Sequence, residues 1–222
     1  MNTLPLRFKD GHLFVDVDGK SWLLDTGAPT SFGSVAMLCL CGVEFSLPST
    51  YLGLTADTLA GFVGEGCVGL LGGDVLGGFD MILDVPGNLL AVSSGELAHE
   101  GRAVCMEWFM GIPVVTARVD GKDHRMFFDT GAQVSYLQDG SIARHPATGR
   151  IADFYPGFGR FETDTHEVPV TLGGVGFRVR CGTLPGLLGM TLMLAGTTGI
   201  LGNEIVRERV VGYFPRRRTV VL

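Results

Sequence analysis

The sequence predicts an all-β protein made of two similar lobes, and three observations predict it. The chain of 222 residues carries 34 glycines and only 18% charged residues. That is too much glycine for a helical protein and too little charge for a disordered one. Short β-branched and aromatic runs alternate with Gly, Pro and Asp, the pattern of strands between tight turns. The chain is also written twice: "LLDTGAPTSF" (Leu23–Phe32) returns as "FFDTGAQVSYL" (Phe127–Leu137), with Asp25 and Asp129 104 residues apart. A chain of this length buries roughly 70% of its unfolded surface and needs no staples.

Before the first motif stands "HLFVDVDGKSWLLDTGA", and before the second "IPVVTARVDGKDHRMFFDTGA". In both, Asp-Gly separates two apolar stretches, which predicts a hairpin because both turn residues tolerate positive φ. Each Asp-Thr-Gly therefore ends the second strand of a hairpin, and the second hairpin is two residues longer. Downstream, "LCGVEF" (Leu40–Phe45) matches "LGGVGF" (Leu172–Phe177). "GLLGGDVL" (Gly69–Leu76) matches "GILGNEIV" (Gly199–Val206), an apolar-apolar-Gly element with a short helical turn. "FDMILDVPGNLLAV" (Phe79–Val92) matches "RVVGYFPRRRTVVL" (Arg209–Leu222) as a closing hairpin, with Pro86 set on Pro215. The polar stretch Gly95–Arg102 divides an N-terminal lobe, 1–98, from a C-terminal lobe, 99–222.

The halves differ in length. From Asp25 to Gly72 is 47 residues, and from Asp129 to Gly202 is 73. The surplus lies mostly in "RHPATGRIADFYPGFGRFETDTHEVPV", whose centre reads as two strands around a Pro-Gly-Phe-Gly turn. This predicts a hairpin at about 150–167 that only the second lobe can project.

Several function classes drop out. A formal net charge of -6 argues against nucleic acid as a partner. The one basic cluster, Arg216–Arg218, reads as a solvated turn. Five cysteines without regular spacing make no disulfide framework and no zinc site, so buried free thiols are expected. "GLLGGDVLGG" lacks the Lys-Ser/Thr of a phosphate loop. The five histidines stand at no ligand or triad spacing, and no Ser or Cys sits in a nucleophile elbow. No metal and no cofactor are expected. Asp74 and Glu204 read as caps of short helices or partners of surface Arg, and Asp10, Asp16 and Asp18 as solvated turn and edge charges. No signal pattern opens the chain and no run approaches 18 apolar residues, so a cytoplasmic monomer without a membrane partner is expected. The first hairpin starts close to Met1, so no propeptide is expected.

One Asp-Thr-Gly means little, since shuffling this composition gives roughly 0.16 copies per chain. Two copies at matching places in a repeat point to paired carboxylates. If the lobes pack about a pseudo-twofold axis, Asp25 and Asp129 meet across it. Carboxylates about 3 Å apart cannot both ionise easily, so the pair keeps one proton. The charged member can deprotonate a water, and the neutral one can hydrogen-bond a carbonyl and later protonate a leaving amine. Gly27 and Gly131 let the backbone turn tightly and approach the carboxylates. Thr26 and Thr130 offer hydroxyls that can bond to the opposite lobe's backbone.

With these motifs the chain resembles the aspartic proteases of the pepsin and retropepsin superfamily. The matching residues are Asp25-Thr26-Gly27, Asp129-Thr130-Gly131, Leu70-Leu71-Gly72 and Ile200-Leu201-Gly202. The resemblance implies a bilobal fold with retropepsin-sized lobes and an interlobe cleft that takes an extended peptide. It implies catalytic roles for Asp25 and Asp129, and support of their loops by Leu71, Gly72, Leu201 and Gly202. The residue after each motif is Ala (Ala28, Ala132) where pepsins carry a hydroxyl, which implies a dyad that titrates higher than theirs. Pepsins close the cleft with a first-lobe hairpin; here the first lobe is too short for one. The implied flap is Tyr155-Pro156-Gly157-Phe158-Gly159, with Tyr155 or Phe158 as its aromatic lid. The alternatives are a catalytically silent relative that binds peptides in the same cleft, and a plain β-barrel binding module.

Overall fold

The structure, a computed structural model, describes residues 1–222. It is mostly β. The first half runs β1 (Asn2–Lys9), β2 (His12–Val17), β3 (Lys20–Leu24), β4 (Phe32–Gly33), β5 (Met37–Leu40) and β6 (Val43–Ser46). It continues through β7 (Thr50–Tyr51), β8 (Leu54–Thr55), α1 (Ala56–Val63), β9 (Gly69–Leu71), α2 (Gly73–Leu76), β10 (Asp80–Asp84) and β11 (Leu89–Ser93). The second half runs β12 (Ala103–Cys105), β13 (Glu107–Phe109), β14 (Ile112–Val119), β15 (Lys122–Phe128) and β16 (Ser135–Leu137). It continues through β17 (Ala147–Tyr155), β18 (Gly159–Leu172), β19 (Val175–Gly182), α3 (Gly186–Leu194), β20 (Gly199–Leu201), α4 (Glu204–Arg207), β21 (Val210–Phe214) and β22 (Thr219–Val221).

Both Asp-Gly hairpins form. Asp18 and Gly19 take φ of 49° and 72°, and Asp120 and Gly121 take 49° and 77°. Two successive positive φ values give the turn whose twist matches the flanking strands. Strand β15 is seven residues long against five for β3, which is the extra length read from the sequence. The repeat also reaches further upstream than the sequence reading took it. The first part of β1 pairs with β11 and its second part with β2. In the second half β12 pairs with β22 and β13 with β14.

A ten-stranded sheet runs β12-β22-β21-β10-β11-β1-β2-β3-β9-β4. It contains strands from both sides of Gly95–Arg102, joined where β10 meets β21 antiparallel, with Met81 opposite Tyr213. An eight-stranded sheet runs β13-β14-β15-β20-β16-β19-β18-β17. The main core likewise draws on both halves, from Leu24, Leu71 and Phe79 to Val115, Phe128 and Leu201. Two smaller clusters flank it, one around Phe14, Leu23, Phe32, Leu59 and Leu70, the other around Phe127, Tyr136, Leu188 and Ile200. Leu71 and Leu201 thus face the shared core while their neighbours Leu70 and Ile200 face the satellites, as alternation along a strand requires.

Four expectations are corrected. First, Pro86 and Pro215 are not equivalent. The closing hairpins superpose with Asn88 on Arg218, the residues of positive φ (57° and 52°), which sets Val85 on Pro215. Second, two helices were not expected within a chain that is, as read, mostly β. Helix α1 carried a legible signal, with Thr55 capping Thr58 N–H and Gly64 in left-handed conformation at its end. Helix α3 carried none, because its nine residues are apolar on every side. Third, Arg216 and Arg217 are no solvated turn. Their guanidinium groups donate to the fully buried Asp80 at 2.9 and 2.5 Å and to carbonyls of Gly95 and Leu97. They pin the segment linking the halves. Fourth, the cysteines are free but mostly not buried. Cys39 and Cys105 are exposed, Cys41 and Cys67 half-buried, and only Cys181 lies in the core. Cys39 faces outward on a strand whose burial alternates. No helix is long and apolar enough to cross a membrane.

Candidate active site

The two Asp-Thr-Gly loops meet at the centre of the molecule. Each leaves a strand that lies parallel to an apolar-Gly strand, β3 beside β9 and β15 beside β20. Asp25 N–H donates to the Leu71 carbonyl and Asp129 N–H to the Leu201 carbonyl, both at 3.0 Å. Gly72 N–H donates to Ser31 Oγ at 2.8 Å, and Gly202 N–H to Ser135 Oγ at 3.1 Å. A Cβ on Gly72 or Gly202 would overlap the carbonyl oxygens of Ala28 or Val134. These four positions therefore brace the loops through backbone, and only glycine fits beside them.

The threonines hold the loops to each other. Thr26 N–H donates to Thr130 Oγ1 at 3.0 Å, and that hydroxyl donates to the Leu24 carbonyl at 2.8 Å. Thr130 N–H donates to Thr26 Oγ1 at 3.0 Å, and that hydroxyl donates to the Phe128 carbonyl at 2.7 Å. All of these bonds are buried and cross between the halves. The glycines act across the same line. A Cβ on Gly27 would overlap the carboxyl carbon of Asp129, and one on Gly131 that of Asp25. Each glycine makes room for the carboxylate opposite.

The inner oxygens are fixed. Asp25 Oδ1 accepts from Gly27 N–H at 2.9 Å and Ala28 N–H at 3.0 Å. Asp129 Oδ1 accepts from Gly131 N–H at 2.9 Å and Ala132 N–H at 3.1 Å. The two carboxyl groups lie within hydrogen-bond reach of each other. Burial, then the Asp129 charge, push Asp25 well above the usual carboxylate range against the pull of the backbone donors. Burial raises Asp129 as well. Burial thus favours the protonated form of both carboxyls, and groups this close titrate as a pair. No hydroxyl follows either motif to oppose this, since Ala28 and Ala132 contribute only N–H groups.

Above the dyad lies a cavity of about 300 Å³ lined mainly by apolar side chains. Its acidic groups are Asp25, Asp129 and Asp153, and no Lys, Arg or His lines it. The long hairpin β17–β18 covers it. Tyr155 and Pro156 line the cavity, and so do Phe154 and Phe161. Phe158 does not; it stands exposed at the tip, where Phe158 N–H closes the turn onto the Tyr155 carbonyl at 3.0 Å. Gly157 and Gly159 take positive φ in that turn. The hairpin reaches across to the first half. Phe154 stacks on Phe62 of α1 at 4.6 Å, and Arg160 lies over the same ring and donates to the Gly61 carbonyl.

The first half is not without a hairpin. The short pair β7–β8, which turns at Leu52-Gly53, puts Tyr51 and Leu52 on the same cavity. The expectation that only the second half could project one is therefore corrected. Two-residue strands suffice because Tyr51 ends β7 and Leu52 opens the turn, so both lie at the tip of the hairpin that meets the cavity.

Other residues of the site were missed in the sequence. Tyr136 is buried and donates to Asp153 Oδ2, tying β16 to the covering hairpin. His12 Nδ1 lies 3.3 Å from the Gly131 carbonyl, and burial lowers its pKa. Asn203 Nδ2 donates to the Gly11 carbonyl at 2.7 Å and the Thr130 carbonyl at 3.2 Å. The N-cap positions are Gly72 and Asn203 rather than Asp74 and Glu204, although Asp74 Oδ1 accepts from Val75 N–H in the first turn of α2 at 2.9 Å. Asp74 Oδ1 accepts from Ser31 N–H and Oγ, and Glu204 Oε2 from Arg180 N–H. Such roles depend on contacts tens of residues apart, and no local pattern announces them. No cluster of three or more His, Cys, Asp or Glu is arranged to hold a metal.

No protein-family model matches this chain, and no curated protein matches it significantly in sequence.

Proposed function

We propose that the protein is an aspartic endopeptidase with a bilobal, pepsin-like arrangement of two retropepsin-sized lobes about a pseudo-twofold axis. The dyad carries this reading: Asp25 and Asp129 come from matching loops, lie within hydrogen-bond reach of each other, and are both raised by burial. The reciprocal Thr26 and Thr130 bonds support the symmetry, since each is the counterpart of the other. In this reading the ionised member of the pair takes a proton from a water held between the carboxyls. The hydroxide attacks the peptide carbonyl while the protonated member hydrogen-bonds its oxygen. The tetrahedral intermediate then collapses as a carboxyl group protonates the leaving amine. The covering hairpin and Tyr51–Leu52 clamp an extended segment and exclude water.

The experiment is cleavage of an extended peptide library across pH 3–8. The wild type is expected to cut, with an optimum near pH 5–6 because a dyad without a neighbouring hydroxyl holds its last proton longer. Asp25→Asn and Asp129→Asn should each abolish turnover. Peptide binding without turnover in the wild type would replace the reading with a silent binding protein.

A further inference from the structure

Eight of the twelve large apolar side chains left exposed lie at the cavity, on its covering hairpin or on one helix, while Met1, Met37, Val43 and Leu89 lie elsewhere. Leu52, Met110 and Tyr155 stand on the rim of the cavity, and Phe158 is at the tip of the covering hairpin. Four more lie on the single helix α3: Leu187 is 66% exposed, Met190 61%, Met193 75% and Leu194 84%. The helix is firmly seated on its other side. Leu188 and Leu192 are buried beside Tyr136 and Ile200, and Leu184, just before it, exchanges two hydrogen bonds with Gln138. Thr191, and Ala195 just past the helix end, line the cavity itself. One element thus presents one side to the cleft and an uncharged apolar side to solvent. The largest apolar patch on a protein surface is often functional.

We propose that α3 is a docking surface for an apolar, extended stretch of a protein substrate, beyond the residues held in the cleft. The proposal rests on the peptide-hydrolysing reading and gives it a substrate class: chains with exposed apolar segments, as in unfolded or membrane-derived proteins. Three observations select this occupant. The patch is continuous with the cavity through Thr191 and Ala195, so a chain leaving the cleft runs onto it. It consists of four exposed side chains on one short helix, far fewer than the roughly 20–30 residues a side that a stable dimer interface takes. The helix carries no cation, and the chain has a net charge of -6, which disfavours an anionic membrane surface. Nine helical residues span about 13 Å, the length of about four extended residues. An apolar extension of that length should therefore fill the patch.

The test uses full-length Asp25→Asn protein, which holds peptide without cutting it, and labelled peptides measured by fluorescence anisotropy. One peptide is an eight-residue core; the others extend it at either end by four Leu, Val or Phe residues, or by four Ser or Gln. The apolar extension at one end should bind about tenfold tighter than the polar one. Changing Leu187, Met190, Met193 and Leu194 together to Gln should erase that tenfold and leave core affinity unchanged. Should that variant melt early, Met193→Gln with Leu194→Gln, the two most exposed positions, should remove most of the gain. No preference for the apolar extension, or a preference that survives the substitutions, overturns the proposal. So does a helix-dependent association with neutral lipid vesicles, or between copies of the chain in sedimentation, without any peptide preference. Cleavage of the core by wild type tests the hydrolase reading separately. A protein that cuts the core but ignores the extension loses only this inference, and one that binds no peptide loses both.

Discussion

Removing the Thr26 hydroxyl tests the central joint of the molecule. Thr26→Val keeps the shape of the side chain and deletes one oxygen. That oxygen accepts from Thr130 N–H at 3.0 Å and donates to the Phe128 carbonyl at 2.7 Å. Both partners belong to the other half, and Thr26 is buried, so water cannot replace it. Two net hydrogen bonds of about 1 kcal/mol are lost, and a buried N–H left unpaired adds about 1–3 kcal/mol. The expected loss is about 3–5 kcal/mol, a large part of the roughly 5–15 kcal/mol that a domain has. Urea denaturation should show it as a lower midpoint at unchanged slope. Thr26→Ser keeps the oxygen and should lose under about 1 kcal/mol. Thr130→Val should cost a similar amount, because its own chain of bonds runs from Thr26 N–H to the Leu24 carbonyl. Turnover should fall by about a hundredfold in either valine variant, since a displacement of the dyad near 1 Å is enough. A Thr26→Val protein as stable as Thr26→Ser would refute the claim that these bonds hold the halves in register.

Four further outcomes follow from the same geometry. Gly27→Ala and Gly131→Ala should abolish turnover, because the added methyl overlaps the carboxyl opposite; a variant with measurable activity would mean that the loops yield more readily than the packing implies. Stability should fall as pH rises. Both dyad carboxyls are raised on folding, so the stability they lend is complete below the unfolded value of about 4 and is lost as pH climbs through the folded values. Asp25→Asn should flatten that slope in thermal melts at pH 4–8, and an unchanged slope would place its origin elsewhere. Asp80→Ala should cost about 2 kcal/mol in denaturant unfolding, because it removes the buried acceptor of charged hydrogen bonds from Arg216 and Arg217. Deleting Pro156–Gly159 should raise KM sharply and leave the melting temperature nearly unchanged, as the tip of that hairpin is exposed; an unaffected KM would dismiss its role as a cover.

The sequence by itself determined the features written in local pattern. Asp-Gly between apolar runs specified both motif hairpins, because only a turn with two positive φ values joins two such strands in register. The repeated Asp-Thr-Gly and apolar-Gly segments specified which strands would pair alike, and β3 beside β9 and β15 beside β20 are both parallel pairs. The surplus around Tyr155 specified the long hairpin of the second half. Tertiary structure alone decided where those pieces meet. The pairing of β10 with β21, the clamp of Arg216 and Arg217 on Asp80, and the docking of Phe154 on Phe62 join residues far apart in the chain, and such contacts leave no periodicity to read. It also decided that Tyr51 faces the cavity from a hairpin two residues deep, too short to register as a strand pattern. The sense of each motif glycine was settled the same way. Gly27 is needed not for its own turn but for the carboxyl of Asp129, a constraint that exists only once the two halves are packed together.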